Sequence, residues 1–189
     1  EPHLLGGPPP RRRIAGLWIG ERLPPLARLS ITSFLHHGFD FVLHGYGEME
    51  GVPPGTRIED AGELLSREEI FIHHSGSLAP AADRIRYLYL ARHGGLWTDL
   101  DVVCLNPERA PRDGIWFAQQ SPGFAAVGLL AFPAGHPVMT SLAALAADPA
   151  GEAPWDSTAS LASKAEWKRR TPDVVDRRKA ADWQALGPG

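Results

Sequence analysis

A helix pattern that passes directly into a strand and then into two aspartates limits what this chain can fold into more than any other feature. Residues 80–93 predict a helix, which the glycine pair at 94–95 ends. Residues 96–98 predict a strand that begins at once, and Asp99 and Asp101 follow it. Because residues two apart in an extended segment project to the same face, we expect both carboxylates at one point at the carboxyl end of that strand. In open α/β sheets, ligands bind at that end.

Strands and helices alternate along most of the remaining sequence. The predicted strands are 14–19, 39–43, 70–73, 96–98, 115–118 and 125–132. The predicted helices are 24–37, a weak helix at 57–67, 80–93, 137–147 and 157–170. This alternation predicts an α/β fold with a mainly parallel central sheet that is covered by helices on both faces.

One domain is expected from residue 14 to residue 189. Residues 1–13 are expected to form a flexible N-terminal tail, because the run Pro8–Arg13 has the composition of a solvated basic segment. Whether the domain is truncated at its C-terminus stays open at this stage.

Charge and cysteine content exclude several classes of protein. The formal net charge of −3 gives no general attraction to nucleic acid. Cys104 is the single cysteine, so neither an internal disulfide nor a cysteine-rich zinc site can form. The longest apolar stretch, Phe124–Phe132, is too short to cross a bilayer as a helix. We therefore expect no membrane span and a cytoplasmic location, with peripheral attachment to a membrane as the alternative.

The two aspartates point to a divalent cation. Two carboxylates on one side of a small site repel each other, and the diphosphate of a nucleotide would add further negative charge. Mg²⁺ or Mn²⁺ suits all-oxygen ligation and takes one or two carboxylates together with phosphate oxygens and water. A bare pair of this kind is usually a solvated turn, but apolar residues flank Asp99 and Asp101 on both sides. The sequence thus predicts Asp99 and Asp101 as metal-binding residues.

The predicted helix 80–93 carries a second charged pair. Its residues 87–91 make it apolar nearly all round, so most of it should be buried, yet Asp83 and Arg86 lie one turn apart on one face. Buried charges need partners. The pair is therefore either a structural ion pair or a sugar-binding pair, and spacing alone leaves both interpretations open.

These motifs resemble those of the DXD-containing sugar transferases, the family of the Golgi outer-chain mannosyltransferases, bacterial capsule-synthesis enzymes and, more distantly, the glucosylating toxins. The specific part of the resemblance is Ala82–Tyr87 followed by Gly94–Val102. Weaker likeness extends to Leu17–Pro24, Gly135–Pro137 and Gly187–Gly189. The resemblance implies a GT-A type nucleotide-sugar-binding fold that transfers a sugar from a UDP- or GDP-sugar donor to a glycan or other hydroxyl acceptor, with retention at the anomeric carbon.

The resemblance also implies roles for donor-binding residues. Trp18 would stack on the donor base, and Asp83 and Arg86 would hold the donor sugar. Trp97 would contact the donor from a position where relatives often have tyrosine. Ala82 replaces a frequent serine, which removes one hydroxyl contact.

For the two acids of the motif, the resemblance implies the catalytic roles. Asp99 would contact the ribose or the sugar and reach the metal through water, and Asp101 would bind Mn²⁺ or Mg²⁺ directly.

Two other functions fit parts of the same motif. In a phosphatase of the haloacid-dehalogenase type, Asp99 would be a nucleophile, but that motif is expected after the first strand of the domain, and an acidic pair should follow it. A non-catalytic or truncated nucleotide-sugar-binding module is the other alternative.

Overall fold

The computed structural model of this protein describes residues 12–70, 72, 77–109, 114–121 and 124–147. The strands are β1 (Arg13–Trp18), β2 (Asp40–Gly45), β3 (Arg57–Asp60), β4 (Gly95–Thr98), β5 (Trp116–Ser121) and β6 (Phe124–Phe132). The helices are α1 (Pro25–His36), α2 (Ala79–His93) and α3 (Pro137–Leu145), with short 3₁₀ turns at Ala61–Glu63, Arg67–Glu69 and Pro107–Arg109. Of the tail predicted at 1–13, residues 1–11 lie outside the described residues, whereas Arg13 already belongs to β1. The helix predicted at 157–170 and the Gly187–Gly189 element also lie outside the described residues.

The described strands form one sheet in the order β3-β2-β1-β4-β6-β5. The pairs β3–β2, β2–β1 and β1–β4 are parallel, whereas β6 runs antiparallel to both of its neighbours. The predicted α/β class with a mainly parallel sheet is therefore confirmed. Because β1 and β4 are parallel neighbours, the residues that follow them, around positions 18 and 99, lie at the same edge of the sheet.

Helices cover both faces of this sheet. Ala15, Val42 and Trp97 pack into a core layer with residues of α2 and α3. The alternate residues Ile14, Leu43 and Leu96 pack into a second layer with residues of α1. Full burial of a valine, leucine or isoleucine side chain stabilises the folded state by about 1.5–3 kcal/mol. Because β1, β2 and β4 have buried side chains in both layers, packing holds these strands on both faces.

The junction between α2 and β4 depends on Gly94. Its amide ends α2 by donating to the Leu90 carbonyl at 3.0 Å, and its φ of 63° lies in the left-handed region. A Cβ at this position would lie 2.4 Å from the backbone nitrogen of Ala134. Only glycine therefore allows the helix to turn into the strand against this neighbouring loop.

The predicted helix at 57–67 is wrong. Arg57–Asp60 is instead the edge strand β3, which pairs with residues 42–45 of β2, and the 3₁₀ turn Ala61–Glu63 follows it. Parallel pairing to a buried neighbour satisfies the backbone of this segment, and Gly62 N–H donates to the Asp60 side chain at 2.8 Å to begin the turn. Weak helix propensity is overridden by this tertiary pairing.

The strand predicted at 70–73 is not formed at the described positions Ile70 and Ile72, which have no regular structure; residues 71 and 73 lie outside the described set. The strand next to β2 is β3 instead. None of the helices in the described part of the chain has the length and apolar character that a bilayer span needs.

Candidate functional site

A pocket of about 610 Å³ lies at the carboxyl ends of β1 and β4, between the first turn of α1 and the first half of α2. Its lining includes every residue predicted as a site residue: Trp18, Asp83, Arg86, Trp97, Asp99 and Asp101. Most of the remaining lining is apolar, with Leu26 and Ala27 from α1 and Val127 from β6. The sheet topology thus brings together predicted site residues up to 83 residues apart in the sequence, from Trp18 to Asp101.

Arg86 lies at the centre of the polar wall. Its side chain is 4% exposed, and its Nη1 donates to Asp83 Oδ1 at 2.5 Å. Its Nη2 donates to both oxygens of Asp99, at 2.7 and 2.9 Å. Burial alone would lower the pKa of the guanidinium, but the charges of Asp99 and Asp83 outweigh this and raise it. Arg86 therefore stays charged and neutralises much of the field of two carboxylates.

The i, i+3 spacing on α2 does produce an ion pair between Asp83 and Arg86. The pair is structural in that it is almost wholly buried, yet both residues also line the pocket. The two interpretations that the spacing left open are therefore compatible with each other.

Trp97 supports Asp99 from inside the protein. The indole is 1% exposed and lies nearly parallel to the His44 ring, at 6.5 Å between centroids and 14° between planes. Its Nε1 donates to Asp99 Oδ1 at 3.2 Å. We call Asp83, Arg86, Trp97 and Asp99 the Arg86 cluster, since Arg86 or its partner Asp99 contacts every other member.

Gly128 on β6 is a site residue that the sequence analysis missed. Its carbonyl accepts from the Asp99 amide at 2.7 Å, and a Cβ on it would lie 3.3 Å from Asp99 Oδ2. An isolated glycine inside an apolar strand is the signal that could have found it, because such a glycine often marks a close approach.

The expectation that Asp99 and Asp101 lie in an extended segment is wrong. β4 ends at Thr98, the chain turns at residues 100–101, and Val102 N–H donates back to the Asp99 carbonyl at 3.4 Å. The Asp99 amide still bonds to the Gly128 carbonyl in register with the β4–β6 pairing, and the chain leaves the sheet after it. Asp99 consequently faces Arg86, whereas Asp101 is exposed at the pocket.

The residues fit a divalent ion that takes only part of its coordination from the protein. Within the described part of the chain, no group of three or more histidine, cysteine, aspartate or glutamate residues could hold a metal, and Asp101 has no hydrogen-bond or ion-pair partner. In the pocket, three carboxylates face one guanidinium, so negative charge remains. Mg²⁺ commonly binds through one or two carboxylates and completes its shell with phosphate and water.

Trp18, the last residue of β1, also lines the pocket. Its ring is partly buried and packs against the α1-side core layer. The Nε1 atom is buried near Gly20 and has no hydrogen-bond partner among the described residues.

Comparisons with known proteins agree with this geometry. Residues 34–119 match the family described as "Glycosyltransferase sugar-binding region containing DXD motif". This range holds the whole Arg86 cluster and Asp101 but not Trp18. No curated protein sequence matches the chain.

Among solved structures, the chain is similar to one described as "PaToxG Glycosyltransferase", with a TM-score of 0.66. The sequence identity is 17%, and the match covers 93% of this chain and 74% of that chain. An identity this low is informative about the fold alone. The chain therefore has a GT-A type α/β fold, and its residues 34–119 are similar to a glycosyltransferase sugar-binding region with a DXD motif.

Proposed function

We propose that the protein is a metal-dependent glycosyltransferase that moves a sugar from a UDP- or GDP-sugar to an acceptor hydroxyl, with retention at the anomeric carbon. The observation that carries the proposal is the composition of the pocket. A pre-paired cluster of two carboxylates and one guanidinium lies beside Asp101, an acid without a protein partner in the described part of the chain. The family match over residues 34–119 supports the same chemistry.

Asp101 is the proposed direct ligand of Mn²⁺ or Mg²⁺, because it is exposed at the pocket and no residue in the described part of the chain forms an ion pair with it. Asp99 would act on the ion only through water, since both of its oxygens accept from Arg86. When bound, the ion would offset the charge that develops on the departing nucleoside diphosphate.

The Arg86 cluster is the proposed donor-sugar site. A carboxylate oxygen has more than one lone pair, so Asp99, with its side chain 34% exposed, can accept from a ribose or sugar hydroxyl while it stays bound to Arg86. Arg86 and Trp97 would then hold the acceptor atoms of Asp99 at fixed positions, and Asp83 would accept from a second hydroxyl. A pre-positioned site reduces the entropy that donor binding would otherwise cost.

Trp18 is the proposed platform for the donor base. An aromatic face suits a flat heterocycle, and the Trp18 indole lines the same pocket as the Arg86 cluster.

The proposed reaction uses no protein nucleophile. The acceptor hydroxyl would attack the anomeric carbon while the nucleoside diphosphate leaves, and the leaving phosphate would help to take the hydroxyl proton on the same face. The phosphatase alternative requires a free Asp99 nucleophile, whereas both Asp99 oxygens accept hydrogen bonds from Arg86. The site therefore favours transfer over phosphate hydrolysis.

Residues 14–189 are proposed to form one catalytic domain of a cytoplasmic enzyme in polysaccharide biosynthesis, with a glycan as acceptor. Support for a single domain comes from the one sheet that runs through residues 13–132.

Calorimetric titration of UDP- and GDP-sugars with and without Mn²⁺, followed by a screen for release of nucleoside diphosphate, tests the proposal. We expect one donor class to bind in a metal-dependent way and to turn over in the presence of acceptor. Metal-dependent binding without turnover on any acceptor would favour the non-catalytic module. If no donor binds with either metal, the proposed function is wrong.

A further inference from the structure

Two serines on α1 bind the main chain just after Asp101. Ser30 Oγ donates to the Val102 carbonyl at 2.6 Å. Ser33 Oγ accepts from the Cys104 amide at 2.9 Å and donates to the Ser30 carbonyl at 2.6 Å. These contacts join α1 to a segment about 70 residues away in the sequence, at the first and third residues after the exposed aspartate.

Ser30 is unusual for a helical serine. A serine inside a helix commonly donates to a carbonyl of its own preceding turn, as Ser33 does. Ser30 instead directs its hydroxyl out of α1, although the residue is fully buried. Removing a buried donor leaves its acceptor without a partner, which costs more than an ordinary hydrogen bond contributes.

The other side of Asp101 is fixed by packing. Leu100 is 8% exposed and belongs to the α1-side core layer. Space around it is tight, since a Cβ built on Gly16 of β1 would lie 3.0 Å from Leu100 Cδ2. Asp101 therefore has an exposed carboxylate on a backbone that is held on both flanks.

We propose that Ser30 and Ser33 are positioning residues that hold the Asp101 carboxylate toward the pocket for a divalent cation. The inference rests on the proposed function, which assigns Asp101 to that cation. One carboxylate provides little of the shell of such an ion, so affinity depends on how little motion the carboxylate loses on binding. Two hydroxyl contacts to residues 102 and 104 reduce that motion before the ion arrives.

The test uses Ser30→Ala and Ser33→Ala in the full chain. Mn²⁺ is titrated alone and with UDP or GDP, and the free ion is followed by electron paramagnetic resonance. We expect each change to raise the dissociation constant of Mn²⁺ about fivefold, the factor that corresponds to one hydrogen bond of ordinary strength. Amide hydrogen exchange should also quicken at residues 102–104 and stay unchanged in β1 and β2.

Two further variants separate positioning from a general loss of stability. Thr32→Ala removes a hydroxyl from the exposed face of the same helix and should leave Mn²⁺ affinity within about twofold of the unchanged protein. Ser33→Thr keeps the hydroxyl at a half-buried position and should restore affinity and slow exchange. If Ser30→Ala does not fold, the Ser33→Ala and Ser33→Thr pair decides alone.

The outcomes distinguish the inference from the function on which it rests. If the unchanged protein binds no Mn²⁺ under any of these conditions, the proposed function is wrong and the inference is overturned with it. If the unchanged protein binds Mn²⁺ and the alanine variants bind it equally well, the positioning role is overturned and the function stands. Weaker Mn²⁺ binding that Ser33→Thr restores supports the role.

Discussion

Both carboxylate oxygens of Asp99 accept from a single nitrogen of Arg86, at 2.7 and 2.9 Å. The other terminal nitrogen of the same guanidinium donates to Asp83 at 2.5 Å. An arginine of the protein thus supplies the charge compensation that sequence reasoning assigned to a metal ion alone. Among the three acids of the pocket lining, Asp101 is left as the proposed ligand of a divalent cation.

Replacing Arg86 should strongly destabilise the protein. Arg86→Met would leave the 8%-exposed Asp83 without its cation, and breaking a buried pair in this way costs about 3–5 kcal/mol. Urea denaturation measures the free energy of unfolding. Arg84→Met is the matched control on the same helix, because Arg84 pairs with the half-exposed Glu69 and should lose at most about 1 kcal/mol. Equal losses for the two variants would contradict the central place given to Arg86.

Asp101→Asn should separate metal binding from stability. The side chain is exposed and has no protein partner in the described part of the chain, so the free energy of unfolding should change by less than about 0.5 kcal/mol. Mn²⁺ affinity and donor turnover should both be largely lost. Glu48→Gln, which removes one exposed acid outside the pocket lining, should change neither. An Asp101→Asn variant that keeps its metal affinity would show that the ion binds elsewhere.

Gly128→Ala tests how closely β6 approaches the site. The new methyl group would lie 3.3 Å from Asp99 Oδ2, so we expect the Asp99 carboxylate to shift and donor affinity to fall about tenfold, a loss of about 1.4 kcal/mol. Gly62→Ala is the control, because its Cβ would press on Asp60 Oδ1 at 3.1 Å, outside the pocket lining. Calorimetry with the donor compares them. The idea fails if both variants bind donor as the unchanged protein does.

Protein stability should depend on pH through His44. Burial lowers the pKa of this histidine from 6.5 to about 4, although the nearby Glu59 carboxylate opposes the change. Between these values the unfolded chain binds a proton that the folded protein does not, so stability is complete above pH 6.5 and is lost as the pH falls toward 4. The loss attributable to His44 is on the order of 3 kcal/mol.

His44→Phe keeps an aromatic ring beside Trp97 and removes the titrating group. Urea denaturation from pH 7 to pH 4 should therefore show a smaller loss of stability in this variant than in the unchanged protein. Parallel pH profiles for the two proteins would assign the acid sensitivity to other groups.

Features that depend on residues close together in the sequence were predictable from the sequence alone. The helix that ends at Gly94 and the strand that follows it come from local spacing, and the structure confirms them. The ion pair between Asp83 and Arg86 is one of the two interpretations that the spacing left open. The turn at residues 100–101 was not predictable in this way, because it follows the last hydrogen bond to the distant strand β6, between Asp99 and Gly128. The same holds for β3, which becomes a strand only because β2 lies beside it.

Contacts between distant segments account for the rest of the site. Gly128 accepts from the Asp99 amide through its carbonyl, and the Ser30 hydroxyl donates to the Val102 carbonyl. Both contacts involve main-chain atoms of the motif segment, which no side-chain pattern in the sequence reveals. The family resemblance located the acids but gave no information on what holds them. The resemblance predicts that Trp97 contacts the nucleotide sugar. The structure adds that the Trp97 indole N–H donates a hydrogen bond to Asp99.

Gly94 is the single residue between α2 and β4, so the length of α2 determines where Arg86 lies relative to Asp99. Each residue added to a helix turns its far part by about 100° and advances it by about 1.5 Å. One residue inserted between Arg86 and Gly94 would therefore rotate Asp83 and Arg86 together away from Asp99, although no residue of the Arg86 cluster would be replaced. We therefore expect insertions or deletions between Arg86 and Gly94 to be tolerated less well than those in the surface loops, although Gly94 itself carries no charge.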